Sequence, residues 1–165
     1  MIRLTFAALL ALALAGCATT PDAPAYPETR AYTVTPDAMG DVHATLAHAS
    51  ASGKRVLLVM GANWCHDSTA LAGWLQTPRF AALVAERYEL VFVNVGMPQT
   101  GDGHNLDIAR RFGVMELSGT PALLVLTGDG ALVNRDTATS WRNAASRSED
   151  AIYAELNALA GPPRS

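Results

Sequence analysis

Arg55 is followed by Val56, Leu57, Leu58, Val59 and Met60, an unbroken apolar run of strand length. A strand with one wet face alternates polar and apolar residues, whereas a strand covered on both faces reads as a continuous apolar run. Residues 55–60 therefore demand layers on both sides and form a central strand. Residues 89–95 and 122–127 carry two further strand-like runs, and helical patterns fill the intervals. Thr35-Pro36-Asp37 offers a capping side chain and an early proline, predicting a helix from there to about residue 50, closed by Gly53. Leu71, Trp74 and Leu75 recur at helical spacing, Pro78 interrupts, and Phe80, Leu83 and Val84 resume, which reads as one kinked helix or two. Residues 96–103 read as a loop and 105–112 as a short helix ended by Gly113. Gly128-Asp129-Gly130 signals a hairpin between the strand 122–127 and a partner at 131–134, and a closing helix spans about 148–159. With a possible first strand at 31–35, the pattern gives an α/β chain whose mixed central sheet has four to five strands and helices on both faces.

The first residues set location and cysteine arithmetic. Arg3, an apolar stretch over residues 4–14 and Leu14-Ala15-Gly16-Cys17 read as an export signal. The apolar stretch is about half of the roughly 20 residues that a membrane-spanning helix needs. Its end resembles the lipobox of bacterial lipoproteins, which implies cleavage before Cys17 and acylation of its sulfur. The domain plan is a signal peptide at 1–16, a lipidated Cys17 and proline-rich tether at 17–31, one domain at 32–161 and a short tail at 162–165. Pro21, Pro24 and Pro27 suit an extended tether, which at about 3.1 Å per residue reaches some tens of ångströms from a bilayer. Ala18 after the lipidated cysteine is, by that resemblance, compatible with outer-membrane sorting, so the expected place is the periplasmic side of a cell envelope.

The chain has two cysteines. With Cys17 consumed by lipid, Cys65 is the one free thiol, and the mature chain has no internal disulfide. Stability then rests on an ordinary core, which the domain's roughly 130 residues can supply. Twelve Lys and Arg against 15 Asp and Glu, a formal charge of −3, give no electrostatic case for nucleic acid or an anionic surface. Membrane contact would come through lipid on Cys17 alone. The loop glycines lack the lysine and hydroxyl residue of a phosphate cradle, and no cofactor is expected.

Gly61-Ala62-Asn63-Trp64-Cys65-His66-Asp67-Ser68 lies at the junction of the central strand and a helix, and Gly119-Thr120-Pro121 precedes the strand at 122–127. Together these two motifs resemble the thioredoxin superfamily over about residues 32–160. The resemblance implies a thioredoxin fold, a cis Thr120–Pro121 bond lying against Cys65, and Thr120 and Pro121 presenting backbone to an extended substrate. Trp64, His66 and Asp67 would border that contact. Two features of the dithiol enzymes are missing: the resolving cysteine falls on Ser68, and the buried aspartate six residues before the nucleophile falls on Val59. A serine hydroxyl cannot expel a bound substrate by attacking a mixed disulfide. The expected chemistry is that of a monothiol, with Cys65 as nucleophile and Ser68 as a donor to its thiolate. Its partners would be envelope proteins with disulfides or oxidised cysteines, and an external reducing thiol or thiol reductase.

At the first turn of a helix, unpaired N–H groups and the helix dipole favour a thiolate on Cys65; protonated His66 would add to this and ionised Asp67 would oppose it. Other readings stand beside these. Cys65 reads alternatively as a small buried apolar residue, and Asp67 and Ser68 as ordinary first-turn residues. Loss of both the aspartate and the second cysteine also fits a binding or scaffold module that kept the fold without redox turnover. Trp74 is read as core, Trp141 receives no role, and His43 and His48 are solvated. Asp102 and His104, in a long loop at the carboxyl edge of the sheet, read either as one wall of a substrate cleft or as a surface loop. Cys65, His66 and His104 lack the paired spacings of an ordered metal site, and no metal is expected.

Overall fold

The structure, a computed structural model, describes residues 26–162. The signal segment, Cys17 and the tether as far as residue 25 lie outside the described residues, as does the end of the tail. Among the described residues no helix is long and apolar enough to cross a membrane.

Among the described residues five α-helices and five strands follow one another as α1 (Ala38–Ser52), β1 (Arg55–Gly61), α2 (His66–Gln76), α3 (Pro78–Arg87), β2 (Tyr88–Asn94), β3 (Gly96–Met97), β4 (Asp102–Gly103), α4 (Leu106–Arg111), β5 (Ala122–Leu126) and α5 (Glu149–Leu159). The main sheet has the order β2-β1-β5, with β1 parallel to β2 and antiparallel to β5. The apolar run in β1 is the middle strand. Its side chains alternate between two cores: Val56, Leu58 and Met60 pack with Val42 and Ala49 of α1 and Ile108 of α4. Leu57 and Val59 pack with Leu71 and Leu75 of α2, Phe80 of α3 and Ile152 and Leu156 of α5. Each buried Val, Leu or Ile contributes roughly 1.5–3 kcal/mol, so one strand supplies a large share of both cores.

Helix boundaries have local causes. Asp37, rather than Thr35, caps α1, its carboxylate accepting from Gly40 N–H at 2.8 Å, and Gly53 closes the helix in the left-handed region at φ 67°. Pro78 has no N–H to continue α2, so Thr77 turns extended and α3 begins as a second helix. Ser148 caps α5 through Ala151 N–H.

The sheet is smaller than the four to five strands expected, and three asparagines explain why. The segment at 31–35 is not a strand. Tyr32 N–H donates to Asn63 Oδ1 at 3.1 Å, and Tyr32 O accepts from Asn63 Nδ2 at 2.8 Å and from Asn94 Nδ2 at 3.1 Å. At the opposite edge, Asn134 Oδ1 accepts from Val125 N–H at 2.8 Å and Asn134 Nδ2 donates to Leu123 O at 2.9 Å. Side-chain amides thus occupy backbone groups that flanking strands would have paired. The hairpin expected after Gly128-Asp129-Gly130 survives as a turn and a single bridge, Leu126 to Leu132.

Two further expectations change. The loop at 96–103 contains a small antiparallel hairpin, Gly96 opposite Gly103 and Met97 opposite Asp102. Trp141, given no role from its polar neighbours, is fully buried in the second core, with the Arg147 guanidinium 4.2 Å above its ring. Trp74 packs half-buried against that core, and His43 and His48 are exposed.

Candidate functional site

The site begins where β1 ends. A Cβ on Gly61 would stand 2.7 Å from Ser68 Oγ and 2.7 Å from Tyr32 Cε1. Glycine there lets a tyrosine ring and a serine pack beneath the turn that carries the thiol. The chain then turns through Ala62, Asn63 and Trp64, and Cys65 N–H donates back to Ala62 O at 3.1 Å. Cys65 is the cap residue of α2, in extended conformation, and its carbonyl accepts from Thr69 N–H at 3.0 Å and Thr69 Oγ1 at 3.3 Å.

The Thr120–Pro121 bond is cis, and Thr120 O accepts from Cys65 Sγ at 3.4 Å. Residues 55 positions apart in sequence thus meet at the sulfur. Cys65 retains about 9% exposure and is the free cysteine among the described residues. Trp64 is 48% exposed, its indole N–H donating to Gly96 O at 3.0 Å, so the loop after β2 fixes the ring beside the thiol. His66 projects into solvent with Nδ1 3.7 Å from Glu28 Oε1.

Ser68 and Asp67 face elsewhere. Ser68 is fully buried and its hydroxyl accepts from Ala62 N–H at 3.4 Å; Cys65 Sγ donates to Thr120 O instead. Asp67 Oδ1 accepts from Ala145 N–H at 2.8 Å, which pins the first turn of α2 to the short 3-10 turn Ala144–Ser146. Val59, in the place of the family's aspartate, is fully buried among apolar side chains. Thr120 Oγ1 is buried with no hydrogen-bond partner among the described residues.

Tyr32, unremarked in the sequence, is the floor of the site. Its hydroxyl donates to Ser68 O at 3.2 Å and its ring packs edge-on to Phe92. Burial pushes its phenol far above the ordinary range; the hydrogen bond at Ser68 opposes this and the Cys65 charge adds to it. Asn63 and Asn94, which grip the Tyr32 backbone, were equally invisible: neither spacing nor periodicity signals a side chain bonded to backbone 31 or 62 positions away.

Residues 27–31, read as the end of a free tether, instead form a strap across α2. Thr29 N–H donates to Thr69 O at 3.0 Å, and the Pro27 carbonyl lies so close to Gly73 that a Cβ there would collide with it. Between strap and thiol turn lies a groove of about 230 Å³ lined by Glu28, Arg30, Asn63, Trp64, His66 and Thr69. A second cleft of about 380 Å³ is lined among others by Pro98, Leu106, Arg110 and Met115. Asp102 and His104 are exposed and do not line it.

Comparison with known proteins places this geometry. Residues 37–128 match the family model described as thioredoxin-like. The crystal structure of a disulphide isomerase from Xylella fastidiosa Temecula1 is similar with a TM-score of 0.70 and 31% identity, covering 79% of this chain and 97% of that one. A search of curated proteins found no significant match.

Proposed function

The chain belongs to the thioredoxin-like family, and on that footing we propose that it is a thiol-disulfide oxidoreductase of monothiol type, with Cys65 as its nucleophile. The supporting observation is the meeting of Cys65 Sγ with the carbonyl of the cis Thr120–Pro121 pair at the mouth of the sheet. Likeness to a disulphide isomerase at 31% identity supports the same reading.

In the proposed reaction Cys65 loses its proton and the sulfur attacks one sulfur of a substrate disulfide. The S–S bond of the substrate breaks, its other half leaves as a thiolate, and Cys65 is joined to the substrate. With a sulfenic acid the same attack expels the oxygen, which leaves as water once protonated. Ser68 has no sulfur with which to resolve this adduct. An external thiol must therefore release the substrate. The Thr120 carbonyl accepts a hydrogen bond from the resting thiol, whose proton passes to solvent on ionisation, and the exposed face of Trp64 borders the incoming chain. The substrates are envelope proteins with disulfides or oxidised cysteines, met by a domain held at the membrane through acylated Cys17.

The test is capture of covalent partners in cells, read as reductant-sensitive high-mass bands. Wild type and Ser68→Ala should both form them and Cys65→Ala should form none. Equal capture by Cys65→Ala would refute thiol chemistry. Incorporation of labelled palmitate that is abolished by Cys17→Ala tests the anchor.

A second reading, a binding module without turnover, draws on a different observation. Sγ is largely buried and already hydrogen-bonded as a thiol. It predicts partner recovery that is noncovalent and survives Cys65→Ala.

A further inference from the structure

Contact with the backbone of Thr120 and Pro121 treats every substrate sequence alike, so a preference must come from side chains fixed beside that edge. Resting on the reading of Cys65 as a monothiol nucleophile, we infer that Arg142 makes this site select substrates with an acidic side chain within two residues of their reactive cysteine.

Two contacts from different parts of the chain place Arg142. Its Nη1 donates to Ser118 Oγ at 3.4 Å, and Ser118 stands two residues before Thr120, whose carbonyl meets Cys65 Sγ at 3.4 Å. Three residues after Arg142, Ala145 N–H donates at 2.8 Å to Oδ1 of Asp67, two residues past Cys65. The arginine is thus tied both to the approach of the cis bond and to the helix turn that carries the thiol. Its stem lies on Gly119, where a Cβ would stand 2.7 Å from Cδ and 3.4 Å from Nη1. Gly119 is not among the glycines of positive φ, so the missing side chain provides room for the arginine rather than an unusual turn.

The guanidinium is exposed and has no carboxylate partner among the described residues. Asp67 is occupied by Ala145 N–H. Arg110 and Glu116 both line the cleft that Ser118 borders and offset one another in charge. Arg142 therefore leaves this edge cationic on a chain whose formal charge is −3. At long range such a chain repels an acidic peptide, so a preference for one has to arise locally. The reach is suitable: successive Cα atoms lie about 3.8 Å apart, so an extended substrate joined to Sγ sets a residue one or two positions from its cysteine opposite Gly119 and Ser118. An Asp or Glu there meets a planar donor fork already ordered against Gly119, which a carboxylate pairs with in bidentate fashion.

The test uses the full-length chain and two capped pentapeptides, each with a central cysteine held as a thionitrobenzoate disulfide and flanked on both sides by aspartate or by asparagine. Cys65 thiolate attacks the peptide sulfur, the probe's S–S bond breaks, and thionitrobenzoate leaves as the coloured thiolate. Rates are divided by those of 2-mercaptoethanol with the same peptide, which removes intrinsic differences between the probes. At low salt the aspartate peptide should exceed the asparagine peptide by about fivefold, the size of a well-formed exposed ion pair. Arg142→Gln should reduce that ratio to about 1.5-fold or less without changing the rate of the asparagine peptide. Lys54→Gln, a cation at the other end of β1 paired to Glu89, should leave the ratio intact. Equal normalised rates in the wild type, or a ratio that survives Arg142→Gln, would overturn the inference while leaving the monothiol reading in place. Release from neither peptide above the Cys65→Ala rate would overturn both.

Discussion

Asn63 joins the thiol turn to the strap, and replacing it with alanine tests how the site is held together. Two hydrogen bonds are lost, Tyr32 N–H to Oδ1 and Nδ2 to Tyr32 O, while Tyr32 O keeps its bond from Asn94. At about 0.5–1.5 kcal/mol each, the local loss is about 1–3 kcal/mol. If the strap detaches, burial of the Tyr32 ring is forfeited as well, and the loss rises by roughly another 1.5–3 kcal/mol. Urea unfolding reads the total from the midpoint at unchanged slope. Hydrogen exchange at the Tyr32 amide reads the local event, since that N–H loses its partner. Asn63→Asp separates geometry from chemistry: it retains the acceptor for Tyr32 N–H but sets a carboxylate oxygen against the Tyr32 carbonyl, so it should not restore stability. An Asn63→Ala variant with midpoint and Tyr32 exchange both unchanged would refute the clamp, and with it the account of why residues 31–35 are not a strand.

Two further outcomes follow from burial. Trp141→Ala empties the space beneath Arg147 and should cost about 3–5 kcal/mol, measured as a midpoint shift; a cost below about 1 kcal/mol would contradict its place in the second core. The phenols of Tyr32 and Tyr88 are both pushed well above the ordinary tyrosine range, each chiefly by burial. The folded state then keeps protons that the unfolded state releases, so stability is fully present below about pH 10 and falls as pH rises above it. The slope approaches about 1.4 kcal/mol per pH unit for each tyrosine, and Tyr88→Phe should halve it. A flat stability curve from pH 9 to about 11.5 would refute the burial of both phenols.

Much of this protein was legible as local pattern. The unbroken apolar run at Val56–Met60 specified a strand covered on both faces, because period and burial are tied residue by residue. Pro78, Gly53 and Ser148 marked helix limits through backbone chemistry that needs no partner. The replacement of a second cysteine by Ser68 fixed, without coordinates, that no resolving thiol stands one turn from Cys65. What the tertiary structure decided are the partnerships of long separation. Asn63, Asn94 and Asn134 take over backbone groups that strands would have paired; Asp67 ties α2 to Ala145; Trp141 turns inward from a polar stretch. Arg30 and Glu28 come to line one groove with Trp64 and His66, more than 30 positions away. A side-chain amide or carboxylate carries the same sequence signal whether it faces water or a buried peptide group, and only the folded chain determines which of the two it meets.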